Sequence, residues 1–197
     1  MRSALLLLLL ITSLISQGQL LTQAALDSTR TYRSLERALA EPEKVFKLDL
    51  SGKKLKAVPE DLRKLRNLNS LDLSGNKLKE FPEWMGELQS MQEFRASRNK
   101  LSAFPESICK WRALKRLDLS RNALPGVPKC MGQLRQLVSL DLWDNDLADF
   151  PKELDKMEAL RFLDLRGIQF SEEEMEGIRE LFPRTKIEFS PSCNCGM

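Results

Sequence analysis

The chain has 197 residues, of which 42% are hydrophobic and 30% charged, and its formal net charge is +3 at pH 7. This composition fits one ordinary globular domain, and its interspersed acids and bases give no reason to expect nucleic acid or an anionic membrane as the partner. Histidine is absent, which removes the commonest general base and the commonest metal ligand.

The first 18 residues have the pattern of a secretory signal peptide. An apolar run over residues 4–15 is too short to span a bilayer but suits the core of such a signal. Small residues at Ser16 and Gly18 predict cleavage after Gly18, with residues 24–25 as the second choice. The protein is therefore expected to be secreted or extracytoplasmic, in the periplasm or at the cell surface. A retained N-terminal anchor is the alternative.

Residues 19–44 are predicted to form a linker and an N-terminal capping helix. Apolar residues recur at helical spacing from Leu26 to about Glu41, with Thr31 as the predicted N-cap and Pro42 as the stop. Such a short helix has nothing to bury against except the segment that follows, so we expect it to cover the open end of a stack.

Six copies of one pattern occupy residues 45–170. They begin, 23 residues apart, at Val45, Leu68, Met91, Leu114, Leu137 and Leu160. A fixed period of this length indicates a solenoid, in which each coil supplies a short strand, a loop and a return segment. One coil cannot bury its apolar residues alone, so stacked coils bury them against each other and their strands form one parallel sheet.

Two columns of the repeat are interpreted as structural. The asparagine column can bond the backbone of its own loop and tie each turn to the neighbouring coil; its members are Asn76, Asn99, Asn122 and Asn145. A proline preceded by Val or Phe recurs in five coils and is expected to turn the chain into the convex return. In the third coil Phe94 and Ala96 replace two leucines, an exchange of volume that a packed core tolerates.

The repeats are followed by a predicted C-terminal cap over residues 171–190. Ser171 and Glu174 have the spacing of a capping box, and the helix they begin should end before Pro183. A short strand is expected over residues 186–189, as an added edge of the stack. Residues 191–197 are predicted to be a flexible tail that contains cysteines.

The pattern L-x-x-L-x-L-S-x-N-x-L-x-x-[VF]-P resembles the leucine-rich repeat family in its typical 23-residue form. The two terminal segments resemble the caps of secreted bacterial members. The resemblance implies an α/β solenoid, a right-handed superhelix of six coils with a concave parallel β-sheet, a helical N-terminal cap and a helix–strand C-terminal cap. It also implies binding of other proteins on the concave sheet, without catalysis.

Alternation along each strand points the leucines inward and the residues between them outward from the concave sheet. At Trp143 a tryptophan replaces the serine found in earlier coils, and tryptophan and arginine are enriched at binding hot spots. We predict a partner-binding hot spot in the C-terminal half, with a charged rim. The hot spot comprises Trp143, Phe162, Asp141 and Arg166, and the rim comprises Arg95 and Arg116. The alternative is that the C-terminal cap or tail covers Trp143.

Aspartate recurs five times in one outward column, which raises the possibility of a cation site. Neighbouring strands lie ~4.8 Å apart, so these carboxylates repel one another. Arg95 falls between Asp72 and Asp118, and Glu93 falls across from Arg116. We therefore interpret the outward face as a charge-balanced grid and predict neither a metal nor a cofactor.

Two pairs of cysteines are candidates for disulfides. Cys109 and Cys130 lie on the convex side of adjacent coils, within reach of each other, and export would permit pairing. Cys193 and Cys195 have C-x-C spacing, which is neither a redox motif nor a complete zinc site. A local or intermolecular disulfide is the expected role of the second pair, with metal binding as the alternative.

The sequence contains no phosphate loop, nucleophile elbow or acid–base constellation. We predict an exported, non-enzymatic module that recognises a protein partner, does not bind nucleic acid, does not insert stably into membranes, and is monomeric or weakly self-associating. A self-associating structural or surface protein is one alternative. A binder of glycan or envelope lipid is another, suggested by a basic column formed by Lys54, Lys77 and Lys100.

Overall fold

The computed structural model describes residues 18–191. The predicted signal peptide, apart from Gly18, lies outside the described residues, and so do Cys193 and Cys195. Eight strands form one parallel sheet whose order equals their order in the sequence. The strands are β1 (Thr31–Tyr32), β2 (Lys47–Asp49), β3 (Ser70–Asp72), β4 (Glu93–Arg95), β5 (Arg116–Asp118), β6 (Ser139–Asp141), β7 (Phe162–Leu165) and β8 (Lys186–Phe189). The predicted α/β solenoid is confirmed.

Short 3₁₀-helices form the convex side. They span Pro42–Lys44, Glu60–Lys64, Glu83–Glu87, Glu106–Lys110, Lys129–Gln133 and Lys152–Lys156. The last five each begin directly after the repeat's proline, which has φ between −58° and −78° at the N-cap position. Because proline fixes φ and donates no backbone hydrogen bond, it ends the loop and starts the return at the same place in each coil.

The core lies between the sheet and these returns. Neighbouring strands pair residues 23 positions apart, so that Leu71, Phe94 and Leu117 stand in register. Phe94 and Trp111 have no exposed surface and meet edge to face, with ring centroids 5.0 Å apart. The Trp111 Nε1–H donates to the carbonyl of Met85 at 2.8 Å, which satisfies its only polar atom. Trp111 and Phe94 are the two largest fully buried side chains of the described residues.

The asparagine column ties each loop to its neighbour. In the fifth coil, Asn145 Nδ2 donates to Leu142 O in its own loop (2.9 Å) and to Leu119 O in the preceding coil (3.1 Å). Its Oδ1 accepts the backbone N–H of Leu124 at 3.1 Å. The same three kinds of bond recur in the other members, Asn76, Asn99 and Asn122.

The N-terminal segment differs from the prediction. The single helix expected from Leu26 to Glu41 is wrong: helix α1 spans Gln23–Ser28, β1 follows, and helix α2 spans Leu35–Ala40. Ser34, rather than Thr31, caps α2, because its side chain accepts the N–H of Arg37. Thr31 instead begins β1, which pairs with β2 and extends the sheet by one strand.

At the other end, helix α3 spans Glu172–Leu181 and has both bonds of the capping box, between Ser171 and Glu174. The chain then returns to the sheet as β8, which pairs with β7 over four residues. Apolar residues of both elements join the core, including Ile178 of α3 and, partly buried, Ile187 of β8.

Cys109 and Cys130 lie on the 3₁₀-helices of adjacent coils. Their Cα atoms are 5.7 Å apart and their Sγ atoms are at bonding distance. Cys109 is buried, and Cys130 packs against the core with partial exposure. A disulfide at this place would be a covalent brace across the convex side, joining two cysteines that are 21 residues apart in sequence.

If this brace forms, we expect the double variant Cys109→Ser/Cys130→Ser to lose about 3 kcal/mol of unfolding free energy, because the unfolded chain regains the entropy of a closed loop. Urea unfolding with and without reductant measures this loss. Reductant should destabilise the wild-type protein to the same degree and leave the double variant unchanged. Equal stability of the two proteins without reductant would contradict the brace.

Candidate functional site

The outward edge of the sheet is shaped by turns in which the aspartate column takes part. Each aspartate accepts the backbone N–H of the residue two positions later, at 2.8–3.1 Å, and the members are Asp49, Asp72, Asp118, Asp141 and Asp164. This role was not predicted, although aspartate commonly bonds its own backbone in this way. The aspartates therefore act mainly as hydrogen-bond acceptors that fix the turns, and the row of negative charges results from this structural role.

The predicted charge-balanced grid holds only for part of the face. Arg116 binds Glu93 at 2.8 Å, and Arg95 stands in register between two aspartates. Towards the C-terminus, however, Asp118, Asp141 and Asp164 follow one another on adjacent strands with no basic residue between them. The predicted charge balance is wrong at this end. Within residues 18–191, the only ion pair to these three acids is that of Arg166 with Asp164, which leaves Asp118 and Asp141 without one.

These neighbours change the ionisation of Asp141. Burial raises the pKa of this carboxyl to about 6, and the charges of Asp118 and Asp164 act in the same direction. The N–H of Trp143 lowers the pKa, but not enough to offset burial. For Asp49, at the other end of the column, burial also raises the pKa, but the bonds from Ser51 outweigh it and the net direction is downward.

The two aspartates should therefore respond oppositely to replacement by asparagine, which still accepts the turn N–H. The folded-state pKa of Asp141 is raised above its ordinary value of 3.8, so the protonated side chain favours the folded state. This contribution to stability is fully present below pH 3.8 and is lost as the pH rises through about 6. At pH 7 we expect Asp141→Asn to stabilise the fold by about 1 kcal/mol, after allowance for solvent screening. Near pH 3.5 the gain should vanish.

Asp49→Asn is the matched control. Because the folded-state pKa of Asp49 is lowered, the ionised carboxylate stabilises the fold above the unfolded-state pKa, and this stabilisation is lost as the pH falls. We expect it to destabilise the fold at pH 7 and to be neutral at low pH. Melting temperatures across pH 3.5–8 test both variants. Effects of the same sign at the two positions would refute the assignment.

Trp143 lies on the outward face and is 37% exposed. Its backbone N–H donates to Asp141 at 3.0 Å, and the guanidinium of Arg121 lies 5.4 Å from its ring centroid. Arg121 Nε is in turn 3.7 Å from Asp144 Oδ2. The described part of the C-terminal cap thus leaves the tryptophan accessible, and an arginine from the preceding coil holds one side of the ring.

The other predicted site residues differ in their exposure and in the side chains that they bind. Phe162 is half-buried between Ser139 and Lys186 in the neighbouring strands, and the side chain of Arg166 turns back to Asp164. Asp164 is buried, although the alternation of the strand predicted an outward position for it. Arg116 is exposed but bound to Glu93, and Arg95 is exposed. The structure therefore joins Trp143 to Asp141 and adds Arg121, which sequence reasoning missed.

The sequence holds one signal for Arg121, because three of the six coils have glycine at the equivalent position. The residue three positions after the aspartate column, in which Arg95 represents the third coil, has positive φ in each coil: Gly52, Gly75, Arg98, Arg121, Asp144 and Gly167. Arginine at φ of 53° and 55°, where glycine is favoured, carries a conformational cost. A conformational cost at the same position of two successive coils is a reason to ask what these side chains contact. The side chain of Arg121 lies against Trp143.

A shallow groove of about 380 Å³ follows these turns. It is lined by the serine two positions after the aspartate column in each of the first four coils and by the residue of positive φ that follows each serine, and it ends at Asp141 and Trp143. Within residues 18–191, no group of three or more His, Cys, Asp or Glu side chains is placed to hold a metal ion. In the same part of the chain, no helix is long and apolar enough to cross a membrane.

An open parallel sheet built from repeated coils, with one face left uncovered, defines a solenoid repeat protein whose extended face is suited to binding. Residues 44–183 match the family described as a leucine-rich repeat region. The chain belongs to the leucine-rich repeat family, as the repeat pattern predicted. No curated protein matches the chain at a significant level.

Solved structures show the same fold in bacterial proteins. A leucine-rich repeat protein of Leptospira interrogans is 31% identical with a TM-score of 0.61, and the match covers 82% of this chain and 49% of that one. Internalin C2 of Listeria monocytogenes is 20% identical (TM-score 0.64; 75% and 62% covered), and internalin F of the same species is 20% identical (0.62; 84% and 53%). The chain thus spans about half the length of the Leptospira protein.

Proposed function

We propose that this chain is an exported, non-enzymatic module that binds a protein partner through the C-terminal half of its concave sheet, centred on Trp143. The observation that carries the proposal is the exposed Trp143 ring, which stands at the end of a groove lined otherwise by serine, glycine, arginine and aspartate. A large aromatic side chain that remains accessible at the end of a groove is typical of the anchors that dominate protein interfaces.

The local geometry supports an anchor that is rigid before binding. The Trp143 backbone is tied to Asp141, and Arg121 covers one side of the ring. Side chains that are already ordered lose little conformational freedom on association, so more of the contact energy appears as affinity. Arg95 and Arg116 are exposed on β4 and β5, and Asp144 is exposed next to Trp143 in the sequence; such charges steer a partner and set its orientation.

Family membership supports a binding role rather than a catalytic one, because leucine-rich repeat proteins are typically interaction scaffolds. The shallow groove is also a poor match for the deep, water-excluding pockets that enzymes use. Export is supported by the apolar N-terminal run and by the cysteine pair on the convex side, which would persist in an oxidising compartment.

Affinity capture from the native extracellular fraction tests the proposal, with wild-type and Trp143→Ala proteins as parallel baits. A specific protein retained by the wild type and lost by the variant supports it. A partner retained equally by both baits overturns the placement at Trp143. Capture of further copies of this chain alone would favour the self-associating alternative, which light scattering then measures directly.

A further inference from the structure

Residues 18–28, here called the strap, cross the edge at which β3 and β4 begin, before the chain turns back to form β1. Their main chain is bound by side-chain amides. The N–H groups of Gln19 and Leu21 donate to Asn67 Oδ1 (3.0 Å) and Asn69 Oδ1 (2.9 Å). In return, Asn69 Nδ2 donates to the carbonyl of Gln19 and Gln92 Nε2 donates to that of Leu21, both at 2.8 Å.

The amides that receive the strap are fixed by other contacts. Asn69 has no exposed surface and Gln92 has 1%. Gln92 Nε2 donates to Asn69 Oδ1, Asn69 Nδ2 donates to the carbonyl of Asn67, and Lys115 Nζ donates to Gln92 Oε1, at 2.6–2.7 Å. The solenoid therefore presents a preformed row of hydrogen-bonding groups that recognises a backbone, in the way a sheet edge recognises an added strand.

A carboxylate beside this row adds a side-chain requirement. Gln23 Nε2 donates to Glu93 Oε1 at 2.9 Å, two residues after the last main-chain contact. Glu93 is 6% exposed and also accepts from Arg116 (2.8 Å) and from Ser70 Oγ (3.2 Å). Leu26 of the strap is fully buried, although it is not part of the continuous core. The strap is thus held by backbone, polar and apolar contacts at once.

We propose that Asn67, Asn69, Gln92 and Glu93 form a second polypeptide-binding site, separate from Trp143, and that the strap is its intramolecular occupant. The site takes an extended segment whose backbone pairs with the amides and whose next side chain, such as Gln, Lys or Arg, donates to Glu93. Because the strap is tethered to the site, a partner segment must displace it, so the site is gated.

The test removes one strap contact without altering the site. Leu21→Pro deletes the N–H that binds Asn69. Leu20→Pro is the matched control, because Leu20 is 55% exposed and its N–H donates to no acceptor among the described residues. In the full chain, we expect backbone amides of residues 23–28 to exchange hydrogen at least tenfold faster in Leu21→Pro than in Leu20→Pro. Continued protection of these amides in Leu21→Pro overturns the proposal.

Binding is then measured by fluorescence anisotropy with a labelled synthetic peptide of residues 18–28. We expect Leu21→Pro to bind the peptide at least tenfold more tightly than the wild type or Leu20→Pro does. Adding Gln92→Ala to Leu21→Pro should remove this binding, while circular dichroism shows that the solenoid is intact. The proposal fails if Leu21→Pro releases the strap without binding the peptide, or if Gln92→Ala leaves the binding unchanged.

Discussion

We expect Trp143→Ala to weaken binding of the partner at least about 30-fold, which corresponds to a hot-spot contribution of about 2 kcal/mol. The loss should appear mainly as faster dissociation, since contacts at the centre of an interface chiefly set the lifetime of a complex. Surface plasmon resonance with the captured partner measures both rates.

Stability should barely change in the same variant. The Trp143 ring lies outside the continuous core, and its removal costs contacts at the surface, with Arg121 and beside Gly167, so we expect a change below about 1 kcal/mol. Val138→Ala is the control, because Val138 is also an exposed apolar side chain of the fifth coil, 42% accessible, but lies at the start of β6. It should leave both affinity and melting temperature unchanged. A destabilised Trp143→Ala protein with intact affinity would refute the anchor.

Asn145→Ala is expected to have the largest effect on stability, about 3–5 kcal/mol. The side chain is 6% exposed, and its loss leaves the N–H of Leu124 and the carbonyls of Leu119 and Leu142 without their asparagine partner. Buried polar groups without partners each cost about 1–3 kcal/mol, and water cannot reach a site between tightly stacked coils without opening them.

Urea unfolding measures this loss, with Asp146→Ala as the control. Asp146 is the next residue and is exposed, so its replacement should change stability by less than about 0.5 kcal/mol. A loss below about 1 kcal/mol in Asn145→Ala would mean that apolar packing and the backbone hydrogen bonds of the sheet suffice to hold the coils. The asparagines would then be dispensable for stability.

The 23-residue period predicted the parallel sheet, the register of its strands, and the turns into the convex side. These features follow from contacts between residues at equivalent positions of adjacent coils, such as Leu71 with Phe94. The spacing of residues along the sequence was therefore enough to predict them. The prolines and Asn145 act within one coil or on the next one, which is why their positions in the repeat were sufficient.

The tertiary structure decided what depends on distant or uneven contacts. The strap binds side chains 48–71 residues away, at Asn67, Asn69 and Gln92. Asn69 and Gln92 are equivalent positions of adjacent coils, but the repeat period does not relate the strap to either of them. The charge balance failed near Asp141, because the repeat fixed the spacing of the acids but not which arginine turns towards them. Trp143 was recognisable as an exception in the sequence. Its accessibility, and the arginine that holds it, required the coils to be stacked in three dimensions.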